Sequence, residues 1–217
     1  MGRIDKELLN YKSKYIKDGV LINKLGIKDE DELNKAERMI TSYKLSKMYL
    51  REDKIKFDVP YYLSIHEELF GDIYPFAGKI RDEVIAKSFA FCLPQNIYGS
   101  LDSILRNAKS RALHVKSYDE LLKIVVEIYS DLDATHPFRE GNGRCEREFI
   151  RRYMNYVCDI NGLDRCCLNY SLIEDRKKYV NAIVKADALL DYTDLFILFS
   201  SILEKTNEKG KINKSVK

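Results

Sequence analysis

The stretch 136–147 reads His-Pro-Phe-Arg-Glu-Gly-Asn-Gly-Arg-Cys-Glu-Arg and gathers the parts that phosphate chemistry needs. His136 is a candidate general base, since imidazole is the side chain best suited to moving protons near neutral pH. Glu140 offers a carboxylate of the kind that holds Mg²⁺, an ion that takes one or two protein carboxylates and completes its shell with phosphate and water. Gly141 and Gly143 leave N–H groups unscreened and permit positive φ, which suits a backbone nest around phosphate oxygens. Asn142 adds an amide donor. Arg144 and Arg147 are three residues apart, so on a helix they share a face and lean back toward the glycines. Two forked guanidiniums there match phosphate oxygens, with Arg139 a further candidate for nucleotide phosphate. Phe138 is an aromatic in a polar loop and is expected to anchor that loop to the core.

These side chains need elements to place them. An apolar helix pattern over 117–134 must stop at His136-Pro137, because the residue before proline avoids the helical region. A second helix pattern over 142–160 starts near Asn142, a good capping residue. The loop therefore empties into a helix N-terminus, where unpaired N–H groups and the helix dipole attract anions. Arg151 and Arg152 further along read as solvated surface charges. There is no Gly-x-x-x-x-Gly-Lys-Ser/Thr and no Gly-x-Gly-x-x-Gly, which excludes a P-loop and a dinucleotide fold. A metal-dependent phosphohydrolase would need an adjacent His-Asp pair, and the chain has three histidines and no such pair.

His136 to Arg147 fills the pattern His-x-Phe-x-Asp/Glu-Gly-Asn-Gly-Arg-x-x-Arg, and in this the sequence resembles the Fic family. Ile65-His66-Glu67-Glu68-Leu69-Phe70 followed by Tyr74-Pro75-Phe76-Ala77-Gly78-Lys79-Ile80-Arg81 is similar to the family's upstream segment, and Leu25-Gly26-Ile27-Lys28 to the start of its bacterial toxin branch. The resemblance spans roughly residues 10 to 205. It implies a Fic-type helical bundle and an enzyme that transfers AMP from ATP·Mg²⁺ to a hydroxyl of a target protein, releasing pyrophosphate. His136 is then the base, Glu140 the metal residue, Asn142 and Arg144 the contacts to α- and β-phosphates, and Arg147 the contact to the γ-phosphate. The acidic residue at 140 and Gly-Asn-Gly-Arg separate the chain from the kinase-like Doc branch, which carries a lysine. Transfer of another nucleotide or phosphodiester group by the same loop, and a catalytically silent module that captures a partner strand, are the alternatives. The resemblance also implies a β-hairpin flap that binds the target as an added strand, with Phe89, Ala90 and Phe91 in it, and a purine pocket near Tyr179 and Asn181. Family members are commonly restrained by a helix with Ser/Thr-x-x-x-Glu-Gly/Asn. The nearest match here, Ser200 to Glu204, is followed by Lys205, so the resemblance implies restraint by a small separate antitoxin that supplies the glutamate.

Helical periodicity dominates the remainder, over 31–52, 58–70, 96–113, 171–187 and 191–205. In 31–52 the repeat runs through Leu33, Ala36, Met39, Ile40, Tyr43, Leu45 and Met48 after an acidic start. In 117–134 a wide apolar face, Leu121 to Leu132, marks a core helix. Only 82–93 breaks the pattern, with the partial alternation of a short hairpin. The reading is all-α: one domain over 1–205 and a flexible basic tail over 206–217.

At 217 residues, 45% hydrophobic and 33% charged, the composition is that of a globular domain. The net charge of +3 is concentrated in 205–217, which holds five lysines and one glutamate, so the body is slightly acidic and no direct nucleic-acid binding is expected. No apolar run reaches bilayer length and the first residues have no signal-peptide core, so a cytoplasmic protein without membrane contact is expected. The five cysteines have no zinc spacing and read as reduced, small apolar residues.

Overall fold

Four helices begin where a short polar side chain takes up a backbone N–H of the first turn. Asp29 accepts from Glu32, Asp58 from Tyr61, Ser117 from Glu120, and Asp175 from Lys177 and Lys178. Caps of this kind are each worth about 1 kcal/mol. A computed structural model describes residues 13–51, 54–86 and 91–205 of the chain. Among these residues there are seven α-helices: α1 Glu30–Tyr49, α2 Val59–Phe70, α3 Ile97–Arg111, α4 Tyr118–Thr135, α5 Asn142–Asn161, α6 Arg176–Leu189 and α7 Thr193–Ser201. The fold is all-α apart from small antiparallel pairs, β1 Ile16–Lys17 with β2 Val20–Leu21 and β3 Cys166–Leu168 with β4 Leu203–Lys205.

α4 is the axis of the bundle. Leu121, Leu122, Val125, Val126, Ile128, Tyr129 and Leu132 are all buried, and the helix packs against α3, α5, α6 and α7. α2 and α5 pack on each other and on the same core, with Tyr62 edge-on to Phe149 at 5.4 Å. The five cysteines are free thiols, and Cys145, Cys158 and Cys166 are buried among apolar side chains.

The structure differs from the periodicity in three places. α1 does not bury the face that its apolar residues suggest: Met39 and Tyr43 are exposed, and the buried stripe is Leu33, Glu37, Thr41 and Met48. Burial of Glu37 is possible because Arg144 and the Tyr74 hydroxyl bond to its carboxylate. The helix expected from 171 starts at 176. Asn169 turns the chain first, its side chain accepting from Ser171, and Asp175 then caps the helix. The helix expected to 205 ends at Ser201, because Leu203–Lys205 pairs with β3 instead. The basic tail at 206–217 and the tip of the expected flap at 87–90 lie outside the described residues.

One buried histidine links α2 to the loop at 136–141. His66 Nδ1 accepts from the Gly78 amide at 2.9 Å, which leaves the proton on Nε2, and Nε2 donates to the Glu140 carbonyl at 2.8 Å. Its ring lies between Phe70 and Phe138, with centroids 4.6 and 3.7 Å away. Burial holds the imidazole at a pKa of about 4, against the ordinary 6.5. A depressed folded-state value means that the unfolded chain takes up the proton first. The contribution of His66 to stability is therefore complete above pH 6.5 and is lost as pH falls from 6.5 toward 4, by roughly 3 kcal/mol at most. Urea denaturation of wild type and His66→Gln at pH 7.5 and pH 5 should show a gap between the two proteins that narrows at the lower pH. Parallel loss of stability in both would contradict this role.

Candidate active site

α4 ends at His136, which adopts a left-handed conformation (φ 46°, ψ 62°) instead of the extended one that proline favours in its predecessor. A non-glycine residue there costs of order 1–3 kcal/mol and persists only when its surroundings fix it. Here the His136 amide donates to Leu132 O at 3.0 Å, and its carbonyl accepts from Arg81 Nε at 2.8 Å. Nδ1 faces the Asp133 carbonyl at 3.2 Å, with the Asp133 carboxylate at 3.6 Å. A carbonyl can only accept, so Nδ1 carries the proton and the neutral ring presents the lone pair of Nε2. Phe91 stacks on the imidazole at 3.9 Å. The residue is buried, and its ring is fixed in plane and in tautomer.

Two residues on, Phe138 is fully buried against His66 and stacks on Tyr62 at 5.9 Å. Asn142 braces the turn: its Oδ1 accepts from Phe138 N and its Nδ2 donates to Phe138 O, both at 2.8 Å. The cap of α5 is Gly141, not Asn142, and Asn142 is the first helical residue. Gly141 has φ 83°, and a Cβ there would lie 2.3 Å from the Phe70 ring, so both conformation and space require glycine. Gly143 is helical, without positive φ; a Cβ on it would come within 3.1 Å of Arg147 Nη1. α5 has no side-chain cap: the Arg144 N–H turns back to Gly141 O at 3.2 Å, and the N–H groups of Asn142 and Gly143 lie at the end of the helix that meets the loop.

Glu140 lies at the mouth of this turn. Its side chain is 42% exposed, and Oε1 accepts from the Gly141 amide at 2.9 Å. Among the described residues no group of three His, Cys, Asp or Glu side chains is arranged to cage a metal. A single accessible carboxylate beside an anion-attracting helix end fits Mg²⁺, which completes its shell with phosphate and water.

The four arginines of α5 are held in different ways. Arg144 lies over the Phe70 ring at 4.7 Å and donates to Glu37 at 2.5 Å and to Thr41 Oγ1 at 3.3 Å. Arg147 lies over Tyr170 at 5.3 Å. Burial works against its charge, but the oxygens of Tyr129, Tyr179 and Tyr170 and the Glu146 carboxylate outweigh that and raise its pKa. Arg152 is buried rather than solvated, because Glu148 and the Tyr61 hydroxyl accept from it; Arg151 shares Glu148. Arg139 is half-buried in the loop itself.

Sequence reasoning missed Arg81, Glu37 and the function of His66. Arg81 is buried and donates to the carbonyls of His136, Glu83 and Cys92. It thereby joins the two legs of the segment at 82–93 to the backbone of His136. The legs also bond to each other and to the last turn of α4, through Phe91 N to Ile85 O and Cys92 N to Ala134 O. Phe89 and Ala90 fall outside the described residues, and Phe91 packs on His136. Tyr179 lies beside Arg147, its hydroxyl 2.5 Å from that of Tyr129, whereas Asn181 is on the exposed face of α6. Glu204 lies in β4 and accepts from Asn169 at 3.0 Å.

The model of the Fic/DOC family matches residues 56–154, from the approach to α2 through the middle of α5. The chain is 34% identical over 164 residues to the protein adenylyltransferase VbhT of Bartonella schoenbuchensis, a match that covers 72% of this chain and 34% of VbhT. It is 28% identical to a probable protein adenylyltransferase of Sinorhizobium fredii, over 67% of this chain and 77% of that one. The chain thus spans about a third of the length of VbhT and most of the shorter relative. Among solved structures, the Fic domain of a Bartonella quintana effector with bound ADP superposes with a TM-score of 0.76, at 23% identity and over 94% of this chain and 97% of that one. BepC of Bartonella tribocorum with bound AMPPNP gives 0.74, at 22% identity and over 89% and 97%. These likenesses share the fold, and with the filled signature at 136–147 they lead to one conclusion: residues 56–154 of the chain form a region of the Fic/DOC family.

Proposed function

We propose that this chain is a protein adenylyltransferase that moves AMP from ATP to a hydroxyl side chain of a target protein. The observation that carries the reading is the orientation of His136, with Nδ1 tied to Asp133 and the Nε2 lone pair left for a proton, at the entrance to a helix end flanked by Arg144 and Arg147. The target hydroxyl oxygen forms a bond to the α-phosphorus while the bond from that phosphorus to the bridging oxygen breaks. Nε2 takes the hydroxyl proton, and pyrophosphate leaves. The N–H groups of the first turn of α5 and the two guanidiniums oppose the charge on the phosphates, the contribution that dominates transfer of this kind. Mg²⁺, when bound at Glu140, supplies further neutralisation of phosphate charge. The names of the relatives and the nucleotides bound in the two solved structures support the reading.

The segment at 82–93 is proposed as the surface that receives the target, since its legs are tied by Arg81 to the peptide of His136. A purine site beside Tyr179 belongs to the same proposal. Restraint is assigned to a separate small protein that brings a glutamate to Arg147, because Glu204 is engaged by Asn169 in a strand.

Incubation with a bacterial lysate and, in turn, ATP, GTP, CTP or UTP tests the activity; mass spectrometry should find an AMP adduct on a hydroxyl residue with ATP. His136→Ala should lower transfer by about 10²–10⁴-fold while ATP binding stays near wild type; undiminished transfer would remove His136 from the mechanism. Glu140→Ala should weaken ATP binding in the presence of Mg²⁺ far more than in EDTA, as read by calorimetry. Equal losses in both conditions would take the ion away from Glu140. Glu204→Gly should leave transfer by the isolated chain unchanged, and a large gain would make Glu204 an internal brake.

A further inference from the structure

Arg144 has two carboxylates within ion-pair distance and hydrogen-bonds to only one of them. Glu37 Oε1 is 2.5 Å from Nη2, and Glu140 Oε1 is 3.7 Å from the same nitrogen. The two acids differ in setting: the Glu37 side chain is 7% exposed and that of Glu140 is 42% exposed. Glu37 stands on α1, more than a hundred residues from the loop in sequence, and is fixed from several sides. The Tyr74 hydroxyl donates to its second oxygen. Thr41, one turn along, donates to the Glu37 carbonyl at 2.7 Å and accepts from Arg144 Nη1. The Phe70 ring closes one face of the guanidinium and also packs on Gly141. With one N–H directed to Glu37 and one to Thr41, three of the five N–H groups of Arg144 are not used by these partners.

We propose that Glu37 is a positioning residue for the phosphate site, holding Arg144 off Glu140 so that the guanidinium faces the nucleotide phosphates and the Glu140 carboxylate stays available to a cation. A half-buried guanidinium takes the nearest anion. Without the charge at 37, that anion is Glu140, four residues earlier and just ahead of the helix, and their 3.7 Å ion pair would close to a hydrogen-bonded one that withdraws both from Mg·ATP. The proposal rests on the reading of this loop as a Mg·ATP site.

Calorimetry with Mg·ATP and with AMP on the full chain tests it, alongside the concentration of Mg²⁺ needed for half-maximal ATP binding. Glu37→Gln is expected to weaken Mg·ATP binding on the order of tenfold, corresponding to one charge-assisted contact, and to raise the Mg²⁺ requirement. Binding of AMP, which keeps the α-phosphate but lacks the β-phosphate also assigned to Arg144 and needs no ion at Glu140, should weaken less, by about two- to threefold on the same scale. In an Arg144→Ala background, Glu37→Gln should have no further effect on Mg·ATP. A variant that binds Mg·ATP as tightly as wild type, or more tightly, overturns the proposal, the latter making Glu37 a competitor of the phosphates. Parallel losses for Mg·ATP and AMP also overturn it, by making Glu37 merely structural. Should Glu37→Gln fail to fold, Glu37→Asp, which keeps the charge but withdraws it by one methylene, must show the same pattern in smaller measure; unchanged Mg·ATP binding by that variant is equally fatal. Wild-type protein that binds no Mg·ATP would instead refute the reading of the loop.

Discussion

The carbonyl of Glu140 accepts a hydrogen bond from a buried imidazole whose other nitrogen is held by the amide of Gly78. That contact fixes the loop in register with α2, because the faces of the same ring carry Phe138 on one side and Phe70 on the other. Phe70 in turn supports Arg144 and leaves no room for a side chain at Gly141. Displacing His66 would therefore move the Glu140 carboxylate, the glycine turn and Arg144 together. The arrangement works only with the ring uncharged, since a proton on Nδ1 would face the proton on the Gly78 amide.

Charge is managed locally around the loop. Arg81 has carbonyl partners, so it organises peptide groups from His136 and the 82–93 segment, and burial lowers its pKa. Arg144 is balanced by a carboxylate from another helix. Arg147 is surrounded by tyrosine rings and hydroxyls, which orient a cation without the rigid pairing of a second carboxylate. Each guanidinium is thus held by a different kind of group: peptide carbonyls, a carboxylate, or tyrosine rings.

The stretch 136–147 was legible because its parts are contiguous: the His-Pro break, the two glycines and the spaced arginines fit a loop entering a helix, and the apolar face of α4 was plain. The supporting residues were not legible, because their partners are distant in sequence. Glu37 reads as one more charge on a charged helix. Its position in register with Leu33, Thr41 and Met48 was the signal, and the apolar Met39 and Tyr43, which are exposed, pointed to the wrong face. Arg81 stands directly before Asp82 and Glu83, so it reads as one charge of a local acidic–basic cluster and not as a bridge between distant carbonyls. The strands at 166–168 and 203–205 are too short for alternation to show, and each exists only because the other is beside it. The left-handed backbone of His136 runs against its local preference and depends on Arg81 and the end of α4.

The account turns on which phosphorus the target oxygen attacks. Parallel reactions of the chain with Mg²⁺, a bacterial lysate and ATP labelled at either the α- or the γ-phosphate decide this, with label in protein read after denaturing electrophoresis. The account predicts label from the α-phosphate and none from the γ-phosphate. Protein labelled from the γ-phosphate would mean phosphoryl transfer and would contradict it.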